Sequence, residues 1–177
     1  MKTLVQITET QKKIILHWGE MGSWWGVNRT TAQIHVLLFL SENPLTADDI
    51  METLSVSRSN VSMCLQELKK WGIIKTVTDL GSRKEKFQSI RDVWEIFRKI
   101  LDERKKREID PTLTLLNETQ EELSKDNDAS PELKARVKDM HEFFGTLEDL
   151  YQNFKALPIE RVKKMSKMSR QILKFVG

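Results

Sequence analysis

Cysteine is almost missing from this chain. Its 177 residues include one, Cys64, which excludes an intramolecular disulfide and fits a reducing compartment. Seven glycines and four prolines are too few for a collagen-like or low-complexity chain. Long apolar runs are absent as well. The longest, Val36 to Leu40, has five residues, against the roughly 20 that a membrane span needs. Glu9, Lys12 and Lys13 interrupt any apolar core near the amino terminus, so no signal peptide is expected. These absences point to a cytoplasmic protein that neither spans nor binds a membrane. Catalytic signatures are lacking too. His17, His35 and His141 lie far apart without zinc-ligand spacing, and there is no Gly-rich phosphate loop or nucleophile elbow. The expectation is therefore no enzyme, no metal and no cofactor.

What the chain does have is charge and apolar periodicity. Hydrophobic residues make up 39% and charged residues 31%, a helix-rich composition. A chain this long can hide roughly 70% of its unfolded surface without covalent staples. The net charge of +3 is unevenly spread. Residues 57–91 hold 8 basic against 3 acidic side chains, residues 92–157 hold 11 against 16, and residues 158–177 hold 6 against 1. A basic stretch inside a folded domain suits a polyanion, whereas the acidic middle should face water or another protein.

Residues 4–18 carry a broken helical stripe of Leu4, Ile7, Ile14, Ile15 and Trp18, which Met21 to Gly26, with its two glycines, is expected to interrupt. Asn28 can cap the next helix, 29–42, which is apolar on most sides and so reads as the central helix of a small domain. Asn43-Pro44 ends it. Thr46 caps a short helix through Leu54, Ser55-Val56 makes a tight connection, and Ser57 caps another helix that closes at Trp71-Gly72. Val61, Leu65 and Leu68, with Cys64, form its buried stripe. Ile73 to Thr78 and Phe87 to Ile90 read as a hairpin around the polar stretch 79–86. After Asp92 the pattern is helical, with Asp110-Pro111 and Ser130-Pro131 expected to start new helices.

Helix, short helix, tight turn, helix and hairpin is the order of a winged helix-turn-helix. Such a domain needs a helix whose inner face anchors it while its outer face meets the DNA major groove. With Val61, Leu65 and Leu68 inward, the outer positions are Ser57, Arg58, Ser59, Asn60, Ser62, Met63 and Gln66, none of them acidic. Asn60 and Gln66 suit paired contacts to adenine, and Arg58 suits guanine or a phosphate. Arg83, Lys84 and Lys86 lie at or just after the hairpin tip, where they can reach phosphates or the minor groove. The fold expected is mostly α with a small β-hairpin wing: a winged helix-turn-helix domain over 1–91 and a helical dimerisation region over 92–177.

The segments Ala32 to Leu40, Pro44 to Ile50, Leu54 to Ile74, Gly81 to Phe87 and Asp92 to Phe97 together resemble the GbsR branch of the MarR-type transcriptional regulators. The resemblance covers about residues 10–110. It implies a homodimeric repressor or activator of transcription that binds a double-stranded DNA operator and answers to a small effector. Several members are linked to osmoprotectant genes, which makes a quaternary ammonium compound such as choline the implied ligand class. Trp24, Trp25, Trp71 and Trp94 are candidates for a cation–π cage around it, with core or interface packing as the plainer role. A homodimeric repressor is the expectation. The alternative is a winged-helix protein-interaction module without sequence-specific DNA binding.

The carboxyl-terminal half has a physical role in the first of these. Two half-sites about 34 Å apart need two recognition helices related by a two-fold axis. Phe143, Phe144, Leu147, Leu150, Tyr151 and Phe154 can bury such an interface, or pack within one chain. The basic tail from Pro158, with Ile159, Val162, Met165, Ile172 and Phe175 on one side, is expected to dock on the acidic middle segment.

Overall fold

A helix that is apolar nearly all round must be covered on nearly all sides, and the residues after Asn28 form such a helix. In the computed structural model, which describes residues 7–81, 84–165 and 168, α2 (Arg29–Leu40) buries Thr31, Ala32, Ile34, His35, Val36, Leu37 and Leu38. Asn28 caps it as expected, its side-chain oxygen accepting the backbone N–H groups of Thr30 and Thr31. At its other end the guanidinium of Arg91 donates to the carbonyls of Phe39, Ser41 and Glu42, at 2.5 Å for Ser41. The Phe39 carbonyl is one that the helix end leaves unpaired, and the other two follow directly after the helix.

The chain divides into two compact units, Met1–Lys99 and Ile100–Gly177. In the first, α1 (Glu9–Trp24) starts at a capping box between Thr8 and Gln11 and packs on α2. The expected interruption at residues 21–26 falls in the second half of that stretch: α1 runs through Gly22 and ends at Trp24. The reason is packing. A Cβ on Gly19 would lie 2.7 Å from the Gln33 side chain, and one on Gly22 would lie 2.6 Å from the Ala32 Cβ. Both glycines allow α1 and α2 to approach closely instead of breaking the helix. The break falls at Gly26, where φ is +71° and a residue with a Cβ is strained.

After α2 come β1 (Leu45–Thr46), α3 (Ala47–Leu54), α4 (Arg58–Lys70), β2 (Ile74–Thr78) and β3 (Glu85–Ser89). Thr46 and Asp49 make a reciprocal capping box at the start of α3. The three strands form an antiparallel sheet in the order β1-β3-β2, with Thr76 opposite Phe87 and Leu45 opposite Phe87 on its other side. The hairpin was legible in sequence, but β1 was not, since a strand of two residues after a proline has no alternation to read.

The second unit takes in the end of α5 (Val93–Arg104), α6 (Asp110–Lys125) and α7 (Pro131–Ala156). The expected helix start at Asp110-Pro111 is where α6 begins, with Pro111 in its first turn, but no break precedes it. The backbone stays helical from Val93 to Lys125, and Ile109, before Asp110, is itself in the right-handed helical region. A π turn over Lys105–Ile109 accommodates the proline, with the Asp110 N–H donating to the Lys105 carbonyl five residues back. The Thr112 hydroxyl donates to the Glu108 carbonyl at 2.6 Å. A proline in mid-helix lacks a donor and crowds the preceding turn, and widening one turn relieves both. Ser130 caps α7 ahead of Pro131 as expected. Leu116 on α6 and Val137 on α7 are the buried apolar residues of this unit. Helical conformation resumes over 159–165, whereas Ile172 and Phe175 lie outside the described residues.

The close approach of α1 to α2 gives a direct test. Gly22→Ala should destabilise the protein by about 1–3 kcal/mol, as overpacking does. Gly145→Ala, in α7 with open space around it, should raise stability by about 0.5–1 kcal/mol, the ordinary helix preference. Urea unfolding followed by circular dichroism measures both.

Candidate nucleic-acid interface

Helix α4 has an anchored side and an open side. Val61, Cys64, Leu65 and Leu68 are buried against the core, at the i, i+3, i+4 and i+7 positions that place them on one face. The turn before the helix is tight because Ser55 adopts a left-handed conformation, φ 54° and ψ 44°. Ser57 then caps α4, its Oγ accepting the Asn60 N–H at 3.4 Å and lying 3.2 Å from the Ser59 Oγ. Arg58, Ser59, Ser62, Met63 and Gln66 are exposed, Met63 at 64% of its free surface. Five of the seven expected outer positions, together with Ser57 itself at the cap, therefore surround one open helical face.

Asn60 is placed differently. It is half-buried, its amide nitrogen donates to Thr30 Oγ1 on α2, and its carbonyl oxygen accepts from Cys64 Sγ, both at 3.4 Å. Its first-turn position lies between the open face and α2, and a short polar side chain there finds partners on α2. Glu67 also turns to α2, accepting the buried Thr31 hydroxyl at 2.9 Å. These bonds fix the angle between α2 and α4. Cys64 sits among them, and burial pushes its thiol pKa up, opposite to what a reactive thiolate requires.

The basic side chains are ion-paired within the domain, which periodicity gave no means of seeing. Arg58 meets Asp48 of α3 at 2.5 Å, and Lys84, in the wing loop just before β3, meets the other oxygen of the same carboxylate at 3.3 Å. Lys86 lies within β3, not at the hairpin tip, and pairs with Asp79 at 2.6 Å. Arg83 lies outside the described residues. Asp48 was legible only as a first-turn acid of α3, and tertiary contact brings it beside α4 and the wing.

The wing is tied to the core through a buried polar contact. His35 Nε2 on α2 lies 3.2 Å from Ser89 Oγ on β3, and that hydroxyl can also donate to the Ile90 carbonyl at 3.0 Å. Burial lowers the His35 pKa from 6.5 to about 4, so the ring is neutral at physiological pH.

The four tryptophans expected to form a cage sit on three different elements. Trp24 ends α1 and Trp25 caps it, 78% and 55% exposed. Trp71 caps α4. Trp94 opens α5 and meets Phe97 edge-to-face at 6.3 Å. A cavity of about 150 Å³ between α1, α2 and α5 is lined by Ile14, Trp18, His35, Phe39, Val93 and Ile96 among others. Its tryptophan is Trp18 and none of those four.

Three packed helices, a tight turn into a helix with one open face, and a β-hairpin wing define a winged helix-turn-helix domain. The MarR family model matches residues 25–85. A relative is the HTH-type transcriptional repressor GbsR of Bacillus subtilis (strain 168), 23% identical over 101 residues that cover 57% of this chain and 56% of that protein. The chain thus spans just over half the length of that curated relative. The fold is also shared with the crystal structure of a transcriptional regulator, at a TM-score of 0.64 and 15% identity, covering 81% of this chain and 94% of the other. No described helix is long and apolar enough to cross a membrane.

The burial of His35 has a pH signature. The unfolded chain takes up a proton at this residue below about pH 6.5, whereas the folded protein does so only near pH 4. Its contribution is therefore complete above pH 6.5 and is lost as pH falls towards 4, by at most about 3 kcal/mol. His35→Gln should remove that part of the loss between pH 7 and pH 4, as read from urea unfolding at each pH.

Proposed function

We propose that this chain is a sequence-specific, double-stranded-DNA-binding transcriptional regulator that acts as a homodimer in the cytoplasm. The observation that carries it is the open face of α4. Arg58, Ser59, Ser62, Met63 and Gln66 stand clear of the core on a helix whose other side is buried, beside a basic wing. Arg58 and Gln66 supply hydrogen bonds to base edges or phosphate, and Arg83, Lys84 and Lys86 supply phosphate contacts. A protein-interaction module would instead be expected to carry acidic residues on that face and to lose the basic wing. The relative named as a transcriptional repressor favours repression as the sign of control.

Homodimerisation is supported by the apolar residues that α7 leaves uncovered. Val137, Phe144, Leu147, Tyr151 and Phe154 are buried or half-buried, while Phe143 and Leu150 are exposed along one edge of that stripe, at 59% and 60%, and Met140 is exposed within it. In this reading the two uses foreseen for the helix, packing within the chain and an interface, are divided between different residues of it. A small effector that favours one of two dimer arrangements completes the proposal. A quaternary ammonium compound is the class to try first, with Trp24 and Trp25 exposed for cation–π contact.

Fluorescence anisotropy should show binding to a duplex enriched from a randomised pool that survives scrambled competitor and weakens steeply with salt. Arg83→Ala with Lys84→Ala should weaken binding to all duplexes alike and flatten the salt slope by roughly two phosphates' worth. Gln66→Ala should cost about 1–3 kcal/mol on the enriched duplex alone. Salt-independent binding, or none, would reject the proposal in favour of a protein partner.

The dimer has its own test. Phe143→Glu with Leu150→Glu should give a monomer in sedimentation velocity with an unchanged circular dichroism spectrum. A dimer that persists would move the interface elsewhere.

A further inference from the structure

One acid stands where the open helical face and the wing converge. Asp48 lies in the first turn of α3, its side chain 24% exposed, and its two carboxylate oxygens face different cations: Oδ1 the Arg58 guanidinium at 2.5 Å, Oδ2 the Lys84 ammonium at 3.3 Å. Those cations belong to separate elements, the start of α4 and the loop of the wing. The neighbouring Asp49 is already committed to the Thr46 cap, so Asp48 is not needed to start the helix.

A phosphate approaching Arg58 or Lys84 meets the charge of Asp48 at close range. It must either take the cations over from the carboxylate or share them with it, and like charges repel in both cases. Arg58 and Lys84 are well exposed, at 72% and 65% of their side-chain surface. Ion pairs of this kind are weak in water, so a polyanion can open them. The repulsion is the same for any phosphate chain, whatever its sequence. Only a duplex that also bonds to the α4 face gains enough to offset it.

We propose that Asp48 is a specificity-determining residue: an internal competitor for phosphate that lowers affinity for nucleic acid of arbitrary sequence and thereby widens the gap to the preferred duplex. The inference rests on the DNA-binding function proposed above. It goes further in assigning a role to an acid on α3 that neither the recognition helix nor the wing contains.

The test uses the full chain and the variants Asp48→Asn and Asp48→Glu, by anisotropy from 50 to 300 mM salt. The two probes are a 30-base-pair random-sequence duplex and a duplex enriched from a randomised pool by the unmodified protein. Asp48→Asn should bind the random duplex roughly three- to tenfold more tightly, with a salt slope steeper by up to about one unit. It should gain less on the enriched duplex, so that the ratio of the two affinities falls. Asp48→Glu should keep the parent ratio, and the gain should vanish when Arg58→Gln and Lys84→Gln are added. Unchanged affinity and slope for Asp48→Asn, or weaker binding to both duplexes, would overturn the competitor role while leaving DNA binding intact. Absence of salt-dependent binding by the unmodified protein would instead overturn the function itself. A thermal melt of Asp48→Asn within a few degrees of the parent separates these results from misfolding.

Discussion

Burial of α2 on every side is the constraint on which the amino-terminal unit depends. Ile34, Leu37 and Leu38 are almost wholly removed from water, and each such side chain contributes roughly 1.5–3 kcal/mol of transfer free energy. To cover them, α1 must come close enough to need Gly19 and Gly22, α4 must present Val61, Leu65 and Leu68, and β3 must lay Phe87 and Ser89 inward. The open face of α4 is a by-product of this packing. Once three apolar residues fix the helix in rotation, the direction of Arg58, Ser62 and Gln66 is no longer free.

The polar contacts between these elements refine that arrangement. Thr31 with Glu67, Asn60 with Thr30, and His35 with Ser89 join α2 to α4 and to the wing strand. The first spans 2.9 Å and the other two are longer, at 3.4 and 3.2 Å; with single hydrogen bonds worth about 0.5–3 kcal/mol net, none holds the fold alone. They define angles, and for a helix that has to enter a groove the angle decides which side chains reach a base edge.

Charge counted along the chain differs from charge as the fold displays it. Residues 57–91 have an excess of basic side chains, but the fold answers several of them: Arg58 and Lys84 share Asp48, Lys86 faces Asp79, and Arg91 closes the end of α2. The field met by a polyanion is correspondingly smaller than the count suggests, and its shape depends on acids from α3 and from the strand ends. In the second unit Lys105 is similarly held between Asp110 at 2.5 Å and Glu148 at 2.9 Å. Hydrogen bonds to Asp110 and then Glu148 raise its pKa.

The sequence alone determined the element types and most of their caps, because capping and apolar spacing are local. Asn28, Thr46, Ser57 and Ser130 each need only a neighbour two or three residues away, and Val61, Leu65 and Leu68 need only helical geometry. Glycine and proline were less legible, since their local meaning depends on distant partners. Gly19 and Gly22 serve the approach of α2, and Pro111, in the first turn of α6, follows a π turn instead of a break in the helix. The tertiary structure decided which polar groups face outward. Asn60 turned to Thr30, Asp48 came beside Arg58 and Lys84, and α7 divided its apolar residues between packing and exposure. Helical and strand periodicity specify which residues share a face. Only the packing of whole elements specifies what that face meets.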